Sequence, residues 1–126
     1  MIEHELLCLI SNYIYLICSI ILFVYNKILE GLICIIIWYI SHNYHCNEDN
    51  IYWSNLDEIV ASIAVLYVVF CNHRKILCKI NIIILILIVP IYIGGRMCYY
   101  KKRYIYNILH SIWHILSAIF ITKLIL

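Results

Sequence analysis

Charged residues are scarce in this sequence. Lys and Arg number 9 and Asp and Glu number 7, so charged residues are 13% of the 126, whereas a soluble domain has about a quarter. Hydrophobic residues make up 66% of the chain, and its mean hydropathy is +0.96. A soluble core of this length has too little interior to hide so many apolar side chains from water. The composition therefore excludes an ordinary soluble domain and indicates an integral membrane protein.

Several features that carry function in soluble proteins are also missing. The net charge is only +2, and no basic patch alternates with exposed aromatics, so no nucleic-acid partner is expected. The seven cysteines include no C-x-x-C pair, and most lie in apolar runs, where a thiol behaves as a small hydrophobe. Only Cys46 lies in a polar turn, where the alternative is a soft metal ligand. Because no charged n-region or cleavage site is evident, the first apolar run is expected to be a retained span.

Long apolar runs dominate what remains. About 20 apolar residues cross a bilayer core, and polar breaks divide the chain into five such stretches. We predict one all-α domain over residues 1–126, a compact bundle of about five transmembrane helices. Pro90 and Gly94-Gly95 are expected to end or kink the fourth helix. The predicted spans cover residues 6–25, 28–44, 51–71, 76–93 and 104–126.

Charge between the spans predicts an orientation. Acidic residues precede the first span and follow the second (Glu48 and Asp49), whereas Lys27 and the basic residues of 74–79 lie on the opposite side. The positive-inside rule makes that second side cytoplasmic. The N-terminus is then expected to be lumenal or extracellular and the C-terminus cytosolic. The basic loop 96–103 disagrees, since this arrangement places it outside.

Five polar side chains lie where a span should be apolar. His110 and His114 are four residues apart in the fifth span, so their imidazoles share one helix face, and Ser41 and His45 have the same spacing at the end of the second. Asp57 lies near the start of the third span, where an unpartnered carboxylate costs roughly 2.5–3.5 kcal/mol on insertion scales. The hairpin between the second and third spans returns Asp57 to the level of His45, and the fifth span begins on the same side. We therefore expect all five side chains at one depth, in the outer half of the membrane.

This set of side chains predicts a metal centre. Three neutral imidazoles, His45, His110 and His114, are a ligand set for Zn²⁺ that keeps a fourth position for water. Asp57 would orient that water or act as general base, and Ser41 would donate a hydrogen bond to a developing oxyanion.

Each of these residues also has a structural interpretation. Histidines such as His42 and His45 are common and solvated at helix ends. Asp57 and Glu58 would also suit the start of a helix, whose dipole favours acids. Intramembrane histidines form hydrogen bonds between helices as well, and Trp113 is expected to serve packing.

Three short motifs together resemble the alkaline ceramidase family of the CREST superfamily of membrane hydrolases, which also includes the adiponectin receptors and myomaker-like proteins. These motifs are Ser41-x3-His45, Leu56-Asp57-Glu58 and His110-x2-Trp113-His114. The resemblance implies zinc bound by the three histidines, with Asp57 and Ser41 assisting, and a ceramide-like membrane lipid as substrate. That family has seven spans where this chain has five, so the lipid pocket is expected to be smaller or completed by a second copy in a homo-oligomer.

The sequence thus predicts a zinc-dependent intramembrane lipid hydrolase that cleaves an amide or ester bond, in an endomembrane such as the endoplasmic reticulum or Golgi. The alternative is a non-catalytic CREST-like membrane protein, myomaker-like or accessory, that keeps a structural metal site. A further alternative is a small accessory membrane protein without a metal.

Overall fold

The computed structural model describes residues 3–47, 50–99 and 102–126. Glu48 and Asp49, on which part of the orientation argument depends, lie outside the described residues. Every regular element in the described part of the chain is an α-helix, and the predicted all-α bundle is confirmed. The helices are α1 (Glu3–Asn12), α2 (Ile14–Val24), α3 (Ile28–Cys46), α4 (Ile51–Ile76), α5 (Lys79–Cys98) and α6 (Arg103–Ile125).

Four segments are long and apolar enough to cross a membrane, as in a multi-pass membrane protein. They are Leu6–Val24, which joins α1 and α2 across Tyr13, then Ile51–Ile76, Ile80–Cys98 and Tyr104–Ile125. The second predicted span forms the 19-residue helix α3, which is not among these four. The reason is its polar content, with Glu30 in the first turn and Ser41, His42, Asn43 and His45 near its end.

The break predicted after residue 71 is a kink and not an end. Asn72 has non-helical backbone angles (φ −123°, ψ 22°), and its side-chain amide donates a hydrogen bond to the Val68 carbonyl oxygen (3.1 Å). Because the side chain supports the turn that the backbone loosens, α4 continues to Ile76.

The predicted end of the fourth span at residue 93 is wrong, because α5 runs through Pro90 and both glycines to Cys98. Proline removes one backbone donor, which membrane helices tolerate where neighbouring helices pack around them. The glycines lie against α6: a Cβ added to Gly95 would be 3.6 Å from the Leu109 Cβ. Small residues there let the two backbones approach closely. Arg96 consequently belongs to α5 and not to the basic loop.

Helix α6 is the centre of the bundle. It packs against α1, α2, α4 and α5, and 50% of its apolar span is buried inside the protein, against 11% for α4. Side chains on α6 are therefore enclosed by protein on several sides, whereas α4 mostly faces outward.

A row of side chains at spacings of three and four residues joins α1 and α2 to α6, and we name it the polar ladder. Its pairs are Cys8 with Asn107, Ser11 with His114, Tyr15 with Ser117, and Cys18 with Ala118. Residue numbers increase together along both helices, so the first and last spans run parallel and begin at the same end of the bundle.

Candidate metal centre

The three histidines predicted to bind a metal converge at one point. The ring centroids of His45 and His110 are 5.1 Å apart, those of His45 and His114 are 5.2 Å apart, and those of His110 and His114 are 4.5 Å apart. One nitrogen from each ring lies within 4.8 Å of the other two. One ligand thus comes from the end of α3 and two from successive turns of α6.

Aromatic stacking fixes the plane of the His110 ring. Tyr106, one turn earlier on α6, lies 5.0 Å away at an interplanar angle of 25°, and Trp113 lies 5.6 Å away at 21°. Trp113 was expected to serve packing, and in the structure it packs on His110. Both contacts follow from i−4 and i+3 spacing, which places these side chains beside His110 on the helix surface.

Two ring nitrogens of the histidine cluster lack a partner. Nε2 of His110 and Nε2 of His114 are buried and form no hydrogen bond within the part of the chain that the structure describes. Burying a polar atom without a partner costs free energy, so such atoms indicate a missing ligand or a strained arrangement. Convergent imidazole nitrogens suit a borderline-soft divalent cation, and three of them match the donor set of an open zinc site. The side chains present therefore fit a metal ion.

Asp57 and Ser41 lie beside this cluster without belonging to it. Asp57 interacts electrostatically with both His45 and Ser41, but its oxygens are outside the group of atoms within 4.8 Å of one another. Ser41 is only 2% exposed, and its hydroxyl meets no acceptor at hydrogen-bonding geometry among the described residues, although Asp57 is close enough to attract it. The catalytic roles of Asp57 and Ser41 stay predictions.

A cleft of about 520 Å³ opens beside the cluster. Asp57, His110 and Trp113 lie on its wall, and most of the remaining lining is apolar. Its sides are α4, α5 and α6, of which α4 and α5 pack only loosely on each other. Leu66 on α4 lines the cleft and is 68% exposed, so the cleft opens at the side of the bundle, on the surface that would face lipid. The volume falls within the roughly 300–1,000 Å³ of ligand pockets.

An ion pair joins the two loosely packed helices beside the metal cluster. Arg96 of α5 contacts Glu58 of α4, and both half-exposed side chains line the cleft. Arg96 is also close enough to Asp57 to influence its charge. The sequence had placed Arg96 in a loop and Glu58 at a helix start, so this pair was missed. The signal present in the sequence was the cationic residue directly after the glycine pair.

Two further candidates lie apart from the centre. His42 packs against Trp38 with 5.5 Å between ring centroids and an interplanar angle of 37°, and the exposed Cys46 places its sulfur 3.7 Å from His42 Nε2. Neither side chain belongs to the three-imidazole cluster. Ser11 of α1, by contrast, reaches His114, and it was not among the residues predicted from the sequence. The signal was the polar pair Ser11-Asn12 inside the first apolar run.

No protein-family model, no curated protein and no solved structure matches this chain, so the candidate centre stands on its own geometry.

Proposed function

We propose that this protein is a zinc-dependent intramembrane hydrolase that cleaves the amide or ester bond of a membrane lipid. One observation carries the proposal: three converging imidazoles, His45, His110 and His114, lie next to an apolar cleft that opens toward lipid. A titratable cluster at membrane depth is costly and is generally kept for function. A cleft that is apolar along most of its length and polar at one end suits a lipid with a hydrocarbon chain and a reactive head group.

The cleft suggests how such a substrate would lie. Its apolar lining, including Val65, Leu85 and Phe120, would hold a hydrocarbon chain. His110 and Asp57 in the same wall would then face the carbonyl group. The resemblance to alkaline ceramidases favours a ceramide-like amide, whose cleavage releases a fatty acid and a sphingoid base.

The chemistry would divide among named side chains. When bound, the zinc ion would supply Lewis acidity and acidify a water molecule. Asp57 would accept the proton of the attacking water and pass it to the leaving nitrogen or oxygen. Ser41 would donate a hydrogen bond to the carbonyl oxygen as that oxygen gains negative charge. Burial of the histidines would keep bulk water away from the reacting groups.

Metal content tests the centre directly. Protein purified gently in detergent is expected to hold stoichiometric zinc by mass spectrometry, and His45→Ala and His114→Ala are expected to lose it. His73→Ala is a matched control, because His73 is an exposed histidine at the far end of α4. Wild-type protein without zinc, or alanine variants that retain it, would contradict the proposal.

Lipid analysis tests the reaction. Membranes of cells that express the wild type are expected to gain fatty acid and sphingoid base in equal amounts, and cells that express His114→Ala are not. If other lipid amines or alcohols rise together with fatty acid, the substrate is a different class of lipid and the proposed hydrolase activity is retained. Unchanged lipids with a zinc-loaded protein would exclude hydrolysis.

One observation favours a second candidate, a non-catalytic membrane protein with a structural metal site. Over the described residues, α3 and α6 have few close backbone contacts, and the histidine rings and a hydrogen bond between the Tyr44 and Tyr106 hydroxyls (3.4 Å) join them. A metal held there would strengthen this limited contact between the two helices. In that case removal of the metal would lower stability, and no lipid turnover would exist to be lost.

The proposed orientation puts the N-terminus in the lumen of the endoplasmic reticulum or Golgi and the C-terminus in the cytosol. The basic residues at and after the end of α5 oppose it. Their opposition is reduced because Arg96 pairs with Glu58 and so brings no uncompensated charge to that side.

A further inference from the structure

Ser11 forms a hydrogen-bonded chain that ends on His114. Its hydroxyl oxygen lies 3.1 Å from His114 Nδ1 and 2.9 Å from the backbone carbonyl oxygen of Cys8. A serine hydroxyl has a single proton to donate, and a carbonyl oxygen can only accept. If Ser11 donates to Cys8, then His114 Nδ1–H donates to the Ser11 oxygen, and Nε2 keeps a lone pair.

The opposite proton arrangement leaves a buried donor without an acceptor. If Ser11 donated to Nδ1, the neutral His114 ring would carry its proton on Nε2. His114 is 1% exposed, and Nε2 has no hydrogen-bond partner in the described parts of the chain. A buried N–H without an acceptor loses its hydrogen bond to water and gains none in return, whereas the first arrangement satisfies every donor from Cys8 to His114. The geometry therefore favours the Nδ1–H form.

We propose that Ser11 is a positioning residue for the metal centre: it holds His114 in the Nδ1–H form and presents the Nε2 lone pair to the space shared with His45 and His110. The metal-binding part of this inference rests on the proposed function, but the proton position does not. Partners of this kind behind a metal-bound histidine fix its ring orientation and raise its basicity.

The helix that carries Ser11 is well placed for this task. Cys8, one turn earlier, directs its thiol to the Asn107 carbonyl oxygen (3.2 Å), and its sulfur lies 3.4 Å from the Ser111 hydroxyl oxygen, which donates its proton to the same carbonyl (2.7 Å). These contacts lie one and two turns before His114 on α6 and hold α1 in register with it. A small rigid hydroxyl on a fixed helix gives His114 a defined partner.

The proton position can be read in metal-free protein. Nitrogen-15 NMR of histidine-labelled protein is expected to show His114 protonated at Nδ1 in the wild type and in Ser11→Thr. In Ser11→Ala the proton is expected to redistribute partly toward Nε2, since the Cys8 carbonyl oxygen is then the acceptor that remains beside the ring. Ser19→Ala is a matched control, because the buried Ser19 hydroxyl on α2 donates to the Leu16 carbonyl oxygen (2.7 Å). An Nε2–H signal in the wild type would overturn the inference even if Ser11→Ala did not fold.

Zinc affinity tests the consequence. Ser11→Ala is expected to bind zinc 10–100-fold more weakly than the wild type, with Ser11→Thr restoring the affinity and Ser19→Ala leaving it unchanged. The melting temperature of the metal-free variants separates loss of positioning from general destabilisation. If the wild type binds no zinc, the proposed function is contradicted. The NMR result then still decides the proton position. A zinc-binding wild type with equal affinity in Ser11→Ala would overturn the positioning role alone.

Discussion

A carboxylate beside three histidines can bind the metal or act as a general base, and the position of Asp57 distinguishes between these two roles. It interacts with His45 and Ser41 and lines the cleft, yet it does not join the ring nitrogens within 4.8 Å of one another. A group in that position suits proton transfer better than metal binding, because a general base must reach the water and not the ion.

Asp57→Asn is expected to keep zinc and fold but to lower hydrolysis about 10²–10⁴-fold, since the amide has the same shape and cannot accept the proton. Fatty-acid release from an amide lipid in detergent measures the rate, and mass spectrometry measures the metal. Glu30→Gln is the control, because Glu30 is a carboxylate in the first turn of α3, at the other end of the helix. If Asp57→Asn hydrolysed lipid at the wild-type rate, Asp57 would not be the general base. If the variant lost its zinc, Asp57 would be a metal ligand.

Spacing along one helix predicted two of the three histidines, and the arrangement of the spans predicted the third. His110 and His114 share a face by helical geometry alone, and the parity of the spans brought His45 to their level. Ser11 could not be found in this way, because its partner is 103 residues away and no local pattern marks an interhelical contact. Arg96 was misplaced because proline and glycine were given the meaning that they have in soluble helices.

Helices in a membrane gain little from burying apolar surface against each other, so the polar ladder is expected to contribute much of the contact between α2 and α6. Interhelical hydrogen bonds in membranes are worth about 0.6 kcal/mol each on average and up to about 1.7. Tyr15 and Ser117 form the shortest bond of the ladder, with 2.8 Å between their oxygens. Several such bonds in register would fix the depth of α2 against α6.

Tyr15→Phe is expected to destabilise the protein by about 0.6–1.7 kcal/mol, because it removes only the hydroxyl of this pair. Reversible unfolding in bicelles or mixed micelles gives the free energy. Tyr25→Phe serves as the comparison, since Tyr25 is 62% exposed at the end of α2. An equal effect of the two substitutions would show that the ladder contributes nothing specific at this point.

Composition settled which segments are long and apolar, and four of the five predicted spans have that character in the structure. The exception, α3, is diluted by the same polar residues that form the candidate centre. Helix ends were less predictable. A side-chain hydrogen bond accompanies the α4 kink at Asn72, and α5 continues through Pro90 to a glycine pair that lies against α6. Sequence rules contain neither contact.

At the scale of the whole molecule, two exposed cysteines lie at the two ends of α4. Cys46 lies at the end of α3, before α4 begins, and Cys78 lies after α4 ends. Because α4 is 26 residues long and apolar enough to span a bilayer, we expect the two thiols on opposite faces of the membrane, separated by the full hydrocarbon thickness.

Single-cysteine variants that retain either Cys46 or Cys78 are expected to react with a membrane-impermeant maleimide from opposite sides of sealed vesicles. The proposed orientation predicts lumenal labelling of Cys46 and cytosolic labelling of Cys78. A reversed pattern would invert the orientation and leave the crossing of α4 intact. Labelling of both thiols from one side would show that α4 does not cross.

The long separation between Ser11 and His114 sets the order in which the centre is made. Helix α6 emerges from the ribosome after all the other described helices, and it brings two of the three converging imidazoles and the partners of the polar ladder. Before α6 inserts, Ser11 and His45 lie in the membrane without their partners on α6. Their polar atoms are what a quality-control system for unassembled membrane helices would detect. Insertion of α6 is therefore expected to be the step at which the nascent protein stops being a target for degradation.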